Sequence, residues 1–167
     1  MLEFERFFLA KKLPAGLEKC KSKEVLDIYI PKNASHCVLR IRKNGDKYEM
    51  TKKECVSTSV FNEQTIALTK EEFDALAKIE GKPVHKIRYF YPYEGRTLEI
   101  GVFQDALKGL VLIDVEFESE EEMKNFTPPD FFLTEVKNRE FLAGGMLCGK
   151  SYADIETFLN ELGYKKL

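Results

Sequence analysis

The sequence predicts a mainly-β, α+β domain, an antiparallel meander or barrel of eight strands with helices on its outside. Three observations lead there. Eight strand-like runs fill most of residues 1–117, the connections between them are short, and charged side chains recur at every second position within them.

Residues 2–9 alternate in polarity, and residues 25–30 are rich in β-branched and aromatic side chains. Residues 37–42 and 47–53 flank Lys43-Asn44-Gly45-Asp46, whose Asn-Gly pair is a strong hairpin signal. Runs at 58–68, 84–91, 96–103 and 110–117 complete the set.

Three helices are expected. Thr69-Lys70-Glu71-Glu72 is a capping box, in which the Thr hydroxyl takes a free amide and Glu72 reaches back. That helix is predicted to run through Phe73, Leu76, Ala77 and Ile79 to Glu80, where Gly81 stops it. Ser119-Glu120-Glu121-Glu122 repeats the device, with Pro128-Pro129 as terminator. The third spans 151–162, with Tyr152, Ile155, Phe158, Leu159 and Leu162 on one stripe. Residues 131–150 show no clear period and are expected to be largely loop. The whole chain, 1–167, reads as a single domain with its barrel over 1–117 and a C-terminal loop and helix over 118–167.

Lys+Arg number 26 against 28 Asp+Glu, a net charge of −2, which argues against a general nucleic-acid binder. Cys20, Cys37, Cys55 and Cys148 are far apart and form no CxxC, as in a reducing compartment. The first residues are acidic where a signal peptide is basic, and no apolar run reaches membrane-spanning length. The expectation is a cytoplasmic monomer or homodimer with neither nucleic acid nor membrane as partner.

Side chains two apart on a strand share a face. Glu3 and Glu5 oppose Phe4 and Phe8; Arg40 and Arg42 oppose Leu39 and Ile41; Lys53 opposes Met50. Lys86 and Arg88 oppose Ile87 and Tyr89, Glu99 opposes Leu98 and Ile100, and Asp114 and Glu116 oppose Ile113, Val115 and Phe117. Six strands thus give one apolar face and one carrying both acids and bases. If the sheet closes, the charged face becomes a lumen, which must be wet, internally paired or filled by an ionic ligand. Clustered acids beside clustered bases suit a metal–polyphosphate complex.

These residues resemble the CYTH, or triphosphate tunnel metalloenzyme, superfamily. Glu3-Phe4-Glu5-Arg6-Phe7 stands where that family has E-x-E-x-K, and Leu39-Arg40-Ile41-Arg42 matches L-R-x-R. Lys86-Ile87-Arg88-Tyr89 matches K-x-R-Y, Leu98–Phe103 resembles E-x-D-x-F, and Asp114-Val115-Glu116-Phe117 matches E-V-E-F. The ordered set runs from the first strand to about Phe141. The resemblance implies a closed eight-stranded antiparallel β-barrel that hydrolyses a triphosphate, inorganic or small organic, with Mg²⁺ or Mn²⁺. It implies Glu3, Glu5, Asp114 and Glu116 as metal ligands and Arg40, Arg42, Lys53, Lys86, Arg88 and Arg139 as phosphate ligands. Glu63 and Glu99 would serve a second metal or the attacking water. Departures are Phe7 for the signature lysine, and Thr65 and Gly101 where the family has acids. They motivate an alternative, a non-catalytic triphosphate-binding module. A class IV-like adenylate cyclase ranks lower, because no feature specifies adenine.

Gly144-Gly145-Met146-Leu147-Cys148-Gly149-Lys150-Ser151 fits the P-loop pattern letter for letter. A P-loop joins a strand to a helix in a parallel α/β sheet, and too few residues follow Ser151 to supply a later magnesium-binding strand. The expectation is a Gly-rich turn capped by Ser151.

Overall fold

The computed structural model describes residues 4–57, 60–136 and 139–167, with side chains described except at 53–62, 139 and 140. The strands are β1 (Phe4–Ala10), β2 (Ser22–Ile30), β3 (Leu39–Asn44), β4 (Lys47–Ser57), β5 (Val60–Leu68), β6 (Lys82–Tyr93), β7 (Arg96–Phe103), β8 (Val111–Phe117) and β9 (Phe132–Glu135). The helices are α1 (Lys70–Leu76), α2 (Glu120–Asn125), α3 (Gly144–Leu147) and α4 (Tyr152–Glu161). No helix among the described residues is long and apolar enough to cross a membrane.

The strands form one nine-stranded sheet in the order β5-β4-β3-β2-β6-β7-β8-β1-β9. This corrects the expected closed eight-stranded barrel. The end strands, β5 and β9, are not neighbours in the strand order, and no pairing joins them among the described residues. The reason lies at β1. A strand has two hydrogen-bonding edges; β8 takes one of β1's and β9 takes the other. β9 falls in the stretch expected to be loop. Phe131, just before it, and Phe132, its first residue, hide the alternation, yet Lys11 N donates to Phe131 O at 2.7 Å and Val136 N to Phe7 O at 2.8 Å.

The chain gathers into two compact units: Met1–Lys23, Ile87–Arg139 and Lys150–Leu167 in the first, Glu24–Lys86 and Glu140–Gly149 in the second. The first unit's core joins Phe8, Leu98, Ile100, Ile113, Val115, Phe117, Phe131 and Phe132. Helix α2 packs on β1 and β8, capped by the Ser119 hydroxyl at 3.2 Å from Glu122 N. Arg6 is built into this apolar side. Its guanidinium lies over Phe8 and Phe126 and makes a two-pronged bond to Glu135 at 3.1 and 2.7 Å. The predicted stripe of α4 forms: Tyr152, Ile155 and Leu159 are buried, Phe158 and Leu162 are partly so, and the residues between them are exposed. Beyond it, the Tyr164 hydroxyl donates to Gly109 O at 2.7 Å and accepts from Val111 N at 2.9 Å.

In the second unit the predicted hairpin forms, with Asn44 paired to Lys47 across a two-residue loop. Gly45 takes the first loop position with φ 61°, where a side chain would be strained. Helix α1 starts at its capping box but ends at Leu76, short of the expected Glu80; tighter turns follow, with Ile79 N bonded to Leu76 O at 3.0 Å. It packs on β3 and β4, setting Phe73 against Tyr48 with ring centroids 5.1 Å apart.

Candidate functional site

In the first unit, strand alternation sends Phe8, Leu98, Ile100, Ile113, Val115 and Phe117 to the core. The opposite face carries Glu5 directly across from Glu116, and Asp114 between Phe7 on β1 and Glu99 on β7. Four carboxylates from three adjacent strands therefore share a face. Like charges facing each other across a ladder repel, so this face favours positive charge. Arg88 supplies some: its Nη1 lies 3.0 Å from Glu99 Oε2, while Tyr89 and Tyr91 pack toward the core.

Carboxylate oxygens are the donors hard divalent cations take, and Mg²⁺ is commonly held by one or two of them together with phosphate oxygens. The facing pair Glu5 and Glu116 fits that donor requirement. The described residues gather no group of three or more metal-ligating side chains, and Glu3 lies outside them.

The second unit carries its own charged face. One row runs Asp27, Arg42, Glu49 across β2, β3 and β4; the next runs Tyr29, Arg40, Thr51 and on to Thr65 of β5. Arg42 donates from Nε to Asp27 Oδ1 at 2.6 Å and from Nη2 to Oδ2 at 2.7 Å. Its Nη1 is 3.9 Å from Glu49. Asp27 is only 3% exposed. Burial works to raise its pKa, but the bond and charge of Arg42, then the charges of Arg40 and Lys86, outweigh it and hold the carboxyl below its usual range. The Asp27 pairing likewise raises Arg42 against the opposing effect of burial. No motif singled out Asp27. Its only signal was an acid on a strand next to two arginines.

Arg40 is placed differently. Its Nε is buried and has no hydrogen-bond partner among the described residues. The guanidinium sits beside the Tyr29 hydroxyl, whose pKa is raised by burial and by Asp27 and partly lowered again by Arg40.

Lys53 stands opposite Glu63 in the backbone register, but the side chains of Lys53 and Arg139 lie outside the described residues. Glu63 is exposed. The structure thus gathers Glu5, Glu99, Asp114, Glu116 and Arg88 within the first unit, and Arg40, Arg42 and Lys86 around Asp27 within the second.

The P-loop-like stretch is accounted for without phosphate. Helix α3, not a strand, opens it, and Ser151 N and Oγ both bond Asp154 Oδ2, at 2.7 and 2.8 Å, at the start of α4. Gly144 lies so close to the Tyr29 hydroxyl that a Cβ there would run into it.

No protein-family model matches the chain. The inorganic triphosphatase of Nitrosomonas europaea is 33% identical over 138 residues, covering 81% of this chain and 89% of that protein. The chain belongs to the CYTH, or triphosphate tunnel metalloenzyme, superfamily. A crystal structure of an inorganic triphosphatase superposes with TM-score 0.67 at 29% identity, covering 88% of this chain and 94% of the other. A second, of a protein described only as hypothetical, gives TM-score 0.70 at 29% identity over 90% of this chain and 99% of that one.

Within this CYTH chain the departures from the family pattern take definite places. Phe7, at the signature lysine position, lies in the row of Asp114 and Glu99. Thr65 shares a hydrogen bond of 3.0 Å with Thr51, directly across the ladder. Gly101 leaves the β7 position facing Leu112 without a side chain.

Proposed function

We propose that the chain is a metal-dependent triphosphatase acting on inorganic tripolyphosphate or a small organic triphosphate. The observation that carries this is the carboxylate pair Glu5 and Glu116, facing each other in register beside Asp114. The activity of the 33%-identical relative supports it.

Glu5 and Glu116, with Glu3 and Asp114, would hold Mg²⁺ or Mn²⁺. A divalent cation there would offset phosphate charge and orient the phosphate oxygens. Arg40, Lys53, Lys86, Arg88 and Arg139 would neutralise the rest of the triphosphate and the charge that develops as the terminal phosphoryl group transfers. Glu99, held beside Arg88, would accept a hydrogen bond from an attacking water; Glu63 is the second candidate for that role.

The reading predicts phosphate release from tripolyphosphate with Mg²⁺ or Mn²⁺, abolished by Glu5→Gln. Turnover no higher than in that variant, across tripolyphosphate, ATP, GTP and thiamine triphosphate, would sink it. A second reading, a module that binds triphosphate without hydrolysing it, is favoured by Phe7 in the acidic row. Calorimetric binding of tripolyphosphate without turnover would select it.

A further inference from the structure

We propose that the two arginines of Leu39-Arg40-Ile41-Arg42 divide their work. Arg40 binds phosphate, and Arg42 is a positioning residue locked to Asp27. This rests on the triphosphate-binding reading and departs from the family pattern, which treats both as phosphate ligands.

The two side chains share a face of β3, two residues apart, yet their surroundings differ. Arg42 spends the fork of its guanidinium on both oxygens of Asp27, at 2.6 and 2.7 Å. Such a two-pronged bond fixes the plane of the guanidinium and cancels its charge. Asp27 has no exposed surface to speak of, at 3%. Drawing Arg42 away to a phosphate would strand a carboxylate in the interior, which is far costlier than leaving the pair intact.

Arg40 has no such clasp. It faces the neutral Tyr29 hydroxyl on one side and Thr51 on the other, and its buried Nε lacks a partner among the described residues. A buried N–H without an acceptor is costly, and a phosphate oxygen is an acceptor that removes the cost. Both Asp27 oxygens are turned to Arg42, and Arg40 Nε has no hydrogen-bond partner among the described residues. The carboxylate keeps one arginine in place and leaves the other open.

The test compares Arg40→Met, Arg42→Met and the double variant D27V/R42M, which removes the whole ion pair in favour of apolar side chains. Tm is read together with KM and kcat for tripolyphosphate with Mg²⁺. Arg40→Met is expected to raise KM about ten- to hundredfold with Tm near that of the wild type. Arg42→Met is expected to lower Tm by roughly 10 °C, and the double variant to recover most of that loss with KM within about threefold of wild type. A folded double variant whose KM rises as far as that of Arg40→Met overturns the proposal. Should the double variant not fold, Arg42→Lys decides. It keeps the charge but loses the fork, so a lower Tm with unchanged KM is expected, and a raised KM with unchanged Tm overturns the proposal. A wild type that neither binds nor turns over tripolyphosphate instead defeats the triphosphatase reading, and this inference with it.

Discussion

Glu5 on β1 lies directly across the ladder from Glu116 on β8. A divalent cation held between the two would draw on both carboxylates. Glu5→Gln should therefore lose both the stabilisation that Mg²⁺ confers and the triphosphatase activity. The rise in Tm on adding Mg²⁺ is expected to shrink in the variant as phosphate release vanishes. Calorimetric melts with and without Mg²⁺, run beside a phosphate-release assay, check both halves. A variant that keeps the full Mg²⁺-induced rise contradicts a metal held by Glu5.

Arg6 belongs to the same strand but to the other face. Its bond to Glu135 and its place over Phe8 and Phe126 make it part of the packing. Arg6→Ala should destabilise by about 1–2 kcal/mol through lost packing and the lost two-pronged bond to Glu135, in a denaturant titration. KM for tripolyphosphate should stay unchanged at a temperature where the variant is folded.

Asp27 gives a pH dependence with a definite sign. Its folded pKa lies below the ordinary value, so its contribution to stability is fully present above about pH 4. That contribution is lost as pH falls through the lowered value. Wild-type Tm should drop over this acid range, and the gap between wild type and Asp27→Asn should narrow there. A gap that stays constant from pH 6 down to strong acid would show that the Asp27 charge does not contribute.

Gly144 and Tyr29 form a size-matched contact. A Cβ at Gly144 would overlap the Tyr29 hydroxyl, so Gly144→Ala should cost about 1–3 kcal/mol. Removing the hydroxyl with Tyr29→Phe makes room, and the double variant should be more stable than the sum of the single effects allows. A double-mutant cycle of melting free energies reads this coupling directly.

Much of this was legible in the sequence because it depends on local rules. Alternation placed Glu5, Glu99, Asp114 and Glu116 on one face, since a strand's period of two is fixed by its backbone. The capping residues Thr69 and Ser119 start their helices as expected. What escaped depends on partners distant in sequence. Asp27 gains its meaning only when the β2–β3 register sets it opposite Arg42. β9 is four residues long and begins with a phenylalanine following another, so its pairing to β1 had no periodic signal to announce it. That one missed strand is also why an expected barrel is an open sheet. The Glu94-Gly95 turn was overlooked too, although both residues adopt positive φ, 46° and 77°, between β6 and β7.

β9 has one more effect. Clasped between β8 and β9, β1 is paired on both edges at Phe8 and Leu9. A slip of one residue along either neighbour would carry Glu5 to the aromatic side and bring Phe4 out among the acids, and now it would have to break two ladders at once. The short strand thus acts as a ratchet pawl, letting the acids swivel on their own bonds while denying their backbone any travel.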